Sequence, residues 1–412
     1  MNIPKLIKVK QNFKREHIED IEKKVIEEIE KSNLTIKKGD RIAIAVGSRG
    51  IANIAKVVKA TVAKVKYLGG EPFIIPAMGS HGGANAIGQR AVLEGYGVTE
   101  EYIGAPIVSS MEIVELPSDG IGNKVYMDKA AFEASGTIII NRIKVHTDFH
   151  SITESGLIKM CVIGLGKHKQ ALEIHRHRIY GLKNMILPTA KQVLKHGNII
   201  LGIGLVENAY DETAIIKAIR PEDLIVEELK LLDYNRNNMP SLPVTKLHVL
   251  MVDEMGKDIS GVGIDTNIIG RIGIKGEDNG LIEIINIVVG DLTTASHGNA
   301  LGMGLADFIT KKLHDKIDFQ ATYENVITST FLERGKMPIV APNELIALNY
   351  ALRTCGPIEI EEARIIRIKN TLKLSEIYVS KPVYEEIKDK DNIEVIGEYK
   401  NVFDSKGEFI SF

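Results

Sequence analysis

Cysteine, tryptophan and long apolar runs are scarce or missing in this chain of 412 residues. It has two cysteines and no tryptophan, which excludes a disulfide scaffold and makes a reducing, cytoplasmic location the simplest expectation. The most apolar stretch, Leu281–Val289, contains a glutamate and is about half of the ~20 residues that a membrane-spanning helix needs. No signal-peptide pattern is visible at the amino terminus.

An excess of charge of either sign is also missing. The 52 Lys and Arg residues nearly balance the 54 Asp and Glu residues, so the composition gives no support for a nucleic acid or an anionic membrane as partner. The chain is 44% apolar and 26% charged, which excludes disorder as its main state. Its length favours two domains.

Strand-like and helix-like segments alternate along the chain. Buried-strand patterns at Arg41–Val46 and Pro72–Pro76 are each followed by a glycine-containing loop and a helical pattern, and a third such strand is Gly136–Asn141. This alternation predicts an α/β fold with mainly parallel sheets flanked by helices, and ligands at the carboxyl ends of the strands. Helices are predicted at Glu16–Lys31, Asn53–Leu68, Ile179–Lys195, Pro221–Leu232, Gly302–Leu313 and Asn343–Arg353.

The best candidate for a domain linker is Asn235–Pro243, where turn-forming residues and two prolines cluster. Downstream of it the alternation restarts with a predicted strand at Lys246–Val252. We therefore predict two α/β domains, an N-terminal one over residues 1–240 and a C-terminal one over residues 241–412. The active site is expected in the cleft between them.

Histidine is concentrated in one part of the sequence. Five of the eleven histidines lie within 32 residues, namely His146, His150, His168, His175 and His177. Imidazole titrates near neutral pH and is the commonest metal ligand, so the cluster predicts acid–base or metal chemistry. The alternative interpretation is a solvated polar loop with ordinary hydrogen bonds.

Two glycine-containing loops follow neighbouring predicted strands. Gly47–Gly50 places Arg49 after the first strand, and Met78–Gly83 places His81 among three glycines. A guanidinium can grip a carboxylate or phosphate with two hydrogen bonds, and glycines let backbone amides approach an anion. Together the loops predict an anion pocket at one edge of a sheet, although each alone also matches a common turn.

Familiar nucleotide and metal fingerprints are absent from the sequence. Gly202-Ile-Gly204-Leu-Val-Glu207 lacks the third glycine of a dinucleotide site, and the chain has neither a Walker loop nor a zinc-type spacing. Nicotinamide dehydrogenases of the Rossmann type and P-loop NTPases are therefore disfavoured. Two polar loops that follow predicted strands in the second half, Asp253–Gly261 and Gly290–Asn299, are candidates for the other wall of the cleft.

Short motifs between residues 40 and 210 resemble the nickel-dependent lactate racemase family, whose members have a two-domain α/β fold. The segment Gly79-Ser80-His81 is similar to the catalytic Gly-Ser/Thr-His motif of that family. Ser48-Arg49 is similar to the Thr-Arg motif that binds the substrate carboxylate. The resemblance implies that His81 is a catalytic base, that Arg49 clamps the substrate, and that Ser48, Gly79 and Ser80 lie at the cofactor.

The same resemblance implies a cofactor site. Lys159 resembles the lysine that forms a covalent thioamide link with the nickel pincer nucleotide, a pyridinium mononucleotide that clamps nickel through sulfur-containing groups. His175, sixteen residues later, resembles the histidine that ligates the nickel. Val145-His146 resembles the segment of the second catalytic base. Because the stretch between His146 and Lys159 is longer than in the family, His150 is an alternative second base.

The function that this resemblance implies is a divergent racemase or epimerase of a small 2-hydroxy acid, working by reversible hydride transfer to the nickel pincer nucleotide. The family's second-domain Gly-Gly-Tyr-Pro segment and its downstream lysine are missing, and Lys257 and Asp258 are candidates to replace them. Two alternatives remain. One is a metal-dependent hydrolase or lyase with the same histidines, and the other is a non-catalytic protein that binds a nucleotide or an anionic metabolite.

Overall fold

The computed structural model describes residues 3–48, 50–275, 277 and 282–412. Arg49, the predicted carboxylate clamp, lies outside the described residues. The chain forms two compact units, of which one is Lys14–Met239 and the other combines Met1–Phe13 with Pro240–Phe412. Among the described residues, no helix is both long enough and apolar enough to cross a membrane.

The described residues form fifteen strands and fifteen α-helical segments. The strands are β1 (Leu6–Gln11), β2 (Arg41–Val46), β3 (Glu71–Pro76), β4 (Ile113–Leu116), β5 (Val125–Asp128), β6 (Gly136–Arg142), β7 (Ile199–Glu207), β8 (Thr213–Ile219), β9 (Lys246–Met255), β10 (Glu283–Leu292), β11 (Phe308–Thr310), β12 (Ile339–Ala341), β13 (Ile365–Asn370), β14 (Lys373–Ser380) and β15 (Ile393–Val395). The helices are α1 (Ile21–Lys31), α2 (Ile54–Tyr67), α3 (Ala86–Gly95), α4 (Glu100–Ile103), α5 (Lys129–Phe132), α6 (Leu157–Lys159), α7 (Lys167–His175), α8 (Arg178–Tyr180), α9 (Ile186–His196), α10 (Leu224–Asn238), α11 (Thr266–Ile269), α12 (Lys311–His314), α13 (Phe319–Ser329), α14 (Glu344–Arg353) and α15 (Lys381–Ile387). Two π-helical turns occur at Met160–Gly164 and Gly181–Met185.

The Lys14–Met239 unit is built on a five-stranded sheet in the order β3–β2–β6–β7–β8. Its first four strands are parallel, and β8 pairs antiparallel with β7 at the edge. After Arg41 every residue of β2 is buried, as is typical of a parallel strand covered by helices on both faces. The predicted α/β fold with mainly parallel sheets is confirmed.

The other unit contains an eight-stranded sheet in the order β12–β11–β10–β9–β13–β14–β1–β15. Its strands from β12 to β13 are parallel, whereas β14, β1 and β15 are antiparallel to their neighbours. The first strand of the chain therefore pairs within this sheet, with Leu6 opposite Ser380. The amino-terminal residues, which the sequence prediction assigned to a 1–240 domain, belong to the C-terminal unit because of this pairing.

Three predicted helices differ from the observed elements. The helix predicted from Glu16 begins at Ile21, because the Asp20 side chain accepts a hydrogen bond from the Lys23 amide and caps the helix there. The helix predicted over residues 179–195 is divided, because a π-helical turn at Gly181–Met185 separates α8 from α9, which begins at Ile186. The helix predicted over residues 302–313 is wrong, because the region contains strand β11 and only a short helix, α12.

The predicted linker Asn235–Pro243 is partly helical. Helix α10 continues through Asn238 despite the turn-forming residues. Asn235 is buried, and its Oδ1 atom accepts a hydrogen bond from the Val145 amide at 3.0 Å. Tertiary contacts have therefore overridden the local preference for a turn.

Candidate functional site

The first part of the candidate site lies where β2 and β3 end. These strands are parallel neighbours with Val46 opposite Pro76, so the loops after them leave the same edge of the sheet. Ser48 Oγ and His81 Nδ1 lie 2.5 Å apart, and both residues are half-buried. The structure thus brings together side chains from the two loops.

The loop that carries His81 is held in a defined turn. Gly79 has φ +61°, and a Cβ added there would lie 2.8 Å from Cγ2 of Ile163, so both conformation and space favour glycine. The buried Gln89 amide of α3 donates hydrogen bonds to the carbonyls of Gly79 at 2.8 Å and His81 at 3.2 Å. Ser80 lies between them and is half-buried. The backbone at His81 is therefore held in a defined position.

Asn141, near the end of β6, links this edge with the segment that carries Lys159. Its Nδ2 donates to the Gly156 carbonyl at 3.0 Å, and a side chain at Gly47 would overlap its Oδ1. At the end of β7, Glu207 accepts a hydrogen bond from the Ala52 amide at 2.8 Å. The ends of three parallel strands are therefore joined through these side chains.

His146 lies in a loop of residues 145–154, which we call the His146 loop. Backbone hydrogen bonds between Lys144 and Ser155 close its base. His146 is buried, and its Nδ1 accepts a hydrogen bond from the Asp148 amide at 3.0 Å. A backbone amide can only donate, so Nδ1 carries the lone pair and the proton of the neutral ring is on Nε2.

Lys159 contacts the other nitrogen of the same ring. Its Nζ lies 2.5 Å from His146 Nε2 and 5.8 Å from the centroid of the Phe149 ring, just before the π-helical turn Met160–Gly164. Since Nε2 carries the proton, an ammonium group there would place two donors against each other. With Nε2 protonated, the contact is satisfied when the Lys159 amine is neutral and accepts the proton of His146.

Glu154 ties the His146 loop to helix α10 and was missed by the sequence analysis. It is fully buried, and it accepts hydrogen bonds from the His146 amide at 2.5 Å and from Arg236 at 2.7 Å. Its Oε1 lies 3.5 Å from His150 Nδ1. Burial by itself raises the pKa of Glu154, but the contacts with His150, the His146 amide and Arg236 together hold this pKa below its usual value.

Glu228 is a second buried carboxyl group that the sequence analysis missed. It accepts a hydrogen bond from the Ile158 amide at 2.9 Å, at the amino end of the helical segment that carries Lys159. A Cβ at Gly156 would overlap its carboxyl group. Burial raises the pKa of Glu228 to about 7, although the hydrogen bonds from the Ile158 and Leu157 amides act to lower it. In the local sequence, this contact is reflected by Gly156, because a larger residue would not fit there.

Helix α7 carries His175 at its carboxyl end and is anchored at its start by Lys167. The Lys167 ammonium is buried and contacts the Pro76 carbonyl at 2.5 Å and Asp128 at 2.9 Å, which fixes α7 relative to the end of β3. His175 keeps access to solvent. Even so, desolvation by the surrounding atoms, followed by the charge that Lys159 carries whenever it is protonated, lowers the pKa of His175, so that the ring is neutral at neutral pH.

The described residues include no group of three or more His, Cys, Asp or Glu side chains that could hold a metal ion by themselves. A neutral, solvent-accessible His175 can serve as a single protein ligand to a metal. The neutral amine of Lys159 can form a covalent bond to a carbonyl-type carbon. This pair fits a cofactor that brings the remaining metal ligands with it.

In the C-terminal unit the two predicted polar loops meet after β9 and β10. The Lys257 amide donates to Ser296 Oγ at 2.9 Å, and Thr293 donates to Asp258 at 2.5 Å. The Lys257 ammonium donates to the Gly261 carbonyl at 2.6 Å. The loops thus support each other, and their predicted role at the substrate remains a prediction.

Comparisons with known proteins identify structural neighbours only. No family model and no curated protein matches the chain. A Thermotoga maritima protein of known structure has a TM-score of 0.49 and 11% identity, covering 65% of this chain and 70% of that chain. The lactate racemase apoprotein from Thermoanaerobacterium thermosaccharolyticum has a TM-score of 0.52 and 13% identity, covering 90% of this chain and 99% of that chain. The chain therefore has a lactate racemase-like fold.

Proposed function

We propose that the protein is a racemase or epimerase of a small 2-hydroxy acid and uses a nickel pincer nucleotide. The contact between the Lys159 amine and His146 Nε2 carries the proposal, because a neutral amine is the nucleophile that a covalent cofactor link requires. The shared fold with a lactate racemase supports it. So does the approach of Ser48 to His81, in the two loops whose motifs resemble the family.

Lys159 would anchor the cofactor and His175 would complete the coordination of its nickel. When bound, the nickel pincer nucleotide would supply a reversible acceptor for the hydrogen of C2 as hydride. Ser48, Gly79 and Ser80 are proposed to line the cofactor. Arg49 is proposed to bind the substrate carboxylate with two parallel hydrogen bonds.

The chain must itself move the proton of the substrate hydroxyl group on each face of C2. His81 is proposed as one base, acting through Nε2 because Nδ1 faces Ser48. We propose His150 as the other, because both ring nitrogens of His146 are engaged by Asp148 and Lys159. The Nε2 atom of His150 is buried and has no hydrogen-bond partner among the described residues. Neutral imidazoles are suited to this transfer near pH 7.

Mass spectrometry of the loaded protein tests the proposed function. In protein from a host that makes the cofactor, we expect a nucleotide-sized increment on Lys159, and nickel in proportion to the modified chain. Lys159→Arg, purified from the same host, replaces the amine by a guanidinium group that is not a nucleophile, so it should carry no increment. Unmodified Lys159 in protein that interconverts 2-hydroxy acid enantiomers would contradict the covalent link. Activity restored by a simple divalent salt would instead favour a metal-dependent hydrolase or lyase.

The second expected result concerns the metal. His175→Ala should lose bound nickel while the protein stays folded, because an exposed residue at the end of α7 contributes little to the core. Elemental analysis and thermal unfolding measure the two quantities. His177→Ala is the matched control, since it removes a neighbouring imidazole and should leave the nickel content unchanged. Full nickel content in His175→Ala would remove this residue from the site.

A further inference from the structure

Glu154 lies at the centre of the His146 loop, and its carboxylate contacts three hydrogen-bond donors and the ring of His150. Its Oε2 accepts from the His146 amide, while its Oε1 faces Arg236 at 2.7 Å, the Ser151 amide at 3.4 Å and His150 Nδ1 at 3.5 Å. The carboxylate is fully buried, whereas the side chain of Arg236 is 36% exposed. A buried carboxylate in such a setting stays ionised, in agreement with the direction of its pKa.

These contacts decide which nitrogen of His150 carries the proton. A carboxylate oxygen can only accept, so the neighbouring Nδ1 of His150 is the protonated nitrogen of the neutral ring. The lone pair then lies on Nε2, the nitrogen that is buried and has no hydrogen-bond partner among the residues that the structure describes. The same carboxylate also fixes the backbone of His146, the partner of Lys159.

We propose that Glu154 is a positioning residue that sets the tautomer of His150 and anchors the backbone of His146, so that one buried carboxylate prepares both the proton acceptor and the partner of Lys159. The inference rests on the proposed function only in naming His150 as a base. The tautomer itself is a property of the chain and can be measured without cofactor or substrate. Losing an orienting carboxylate of this kind greatly lowers the rate of histidine catalysis when the ring then adopts the wrong tautomer.

Nitrogen-15 NMR of the full chain labelled at histidine tests the proposal. In the wild type, the resonances of His150, assigned through His150→Gln, should show a protonated Nδ1 and an unprotonated Nε2. Glu154→Met removes the acceptor at similar size, so the Nδ1-protonated form of His150 should lose its predominance. In loaded enzyme, the same variant should slow interconversion of enantiomers on the order of 10²-fold, the lower end of the usual contribution of general acid–base catalysis.

The control is Glu173→Met, which removes a carboxylate from another arginine, Arg176, at 2.6 Å. It should leave the signals of His150 unchanged. If Glu154→Met does not fold, Arg236→Gln is used instead. This variant removes the cation that competes with His150 for Glu154, so the contact of His150 with the carboxylate should become stronger. The NMR signal of the Nδ1 proton of His150 should then move downfield. A wild-type His150 protonated on Nε2, or signals that respond to neither variant, would overturn the proposal. Absence of racemase activity with the expected tautomer would contradict the proposed function alone.

Discussion

Replacing His81 by alanine is expected to slow the interconversion of 2-hydroxy acid enantiomers by about 10²- to 10⁴-fold, the usual contribution of a positioned acid–base group. A racemase with two bases needs one of them neutral and the other protonated, and the two exchange roles with the direction of reaction. The pH–rate profile of the wild type should therefore be bell-shaped, with limbs that belong to the coupled pair. Chiral chromatography of the loaded enzyme's reaction mixtures measures the rate.

Single-turnover experiments separate the two bases and the role of His146. His81→Ala should still take hydride once from the enantiomer whose base survives, and His150→Ala should do so from the other enantiomer. His146→Ala should differ from both, because its loss removes the partner of Lys159 and should lower the fraction of chains that carry the cofactor. Full interconversion by His81→Ala would contradict the two-base scheme and leave the Gly79–Gly83 loop as an anion-binding turn.

The second large effect concerns stability, and it comes from Glu228. An acid whose pKa is higher in the folded chain than in the unfolded chain holds its proton more tightly when the chain is folded. Its contribution to the free energy of unfolding is therefore fully present below the pKa of the unfolded chain, and it is lost as the pH rises through the pKa of the folded chain. For Glu228 this window runs from 4.5 to about 7. The free energy of unfolding of the wild type, relative to Glu228→Gln, should fall by about 3 kcal/mol across it. Thermal unfolding of the full chains at a series of pH values measures the difference.

The neighbouring Glu227 provides a matched control with the opposite sign. Hydrogen bonds from Lys217 and Lys230 lower the pKa of this half-buried carboxyl group, so its contribution is present at neutral pH and is lost on acidification. Relative to Glu227→Gln, the wild type should gain stability as the pH rises through the acid range. If Glu228→Gln follows the wild type at every pH, the carboxyl group of Glu228 does not titrate in the stated window.

The elements that the sequence predicted best are those fixed by local patterns. Strand β2 has the predicted bounds, because an unbroken run of small and branched apolar residues between a charged residue and a glycine has few alternatives. Parallel strands then place their following loops at one edge, which is why Ser48 and His81 could be expected to meet. That expectation came from the two motifs alone and did not depend on α3 or Gln89.

The remaining parts depend on residues that are distant in sequence. Glu154 and Glu228 acquire their roles only when α10 packs against the segment from residue 145 to 159, and α10 itself extends into the predicted linker because Asn235 contacts Val145. The amphipathic pattern of α10 contains no sign of either contact. The proposed choice of His150 over His146 likewise rests on the contacts of His146 with Asp148 and Lys159, which no spacing rule supplies.

The position of β1 has a consequence for the order in which the chain folds during its synthesis. Leu6 is made well before its partner Ser380, which emerges roughly 20–75 s later at translation rates of about 5–20 residues per second. The Lys14–Met239 unit is contiguous and can fold in this interval, whereas the eight-stranded sheet cannot be completed until β14 and β15 appear. Its closure joins segments that are far apart in the sequence, and contacts of this kind form slowly. A chain interrupted before Lys373 would leave β1 without a partner strand, as an exposed edge prone to aggregation.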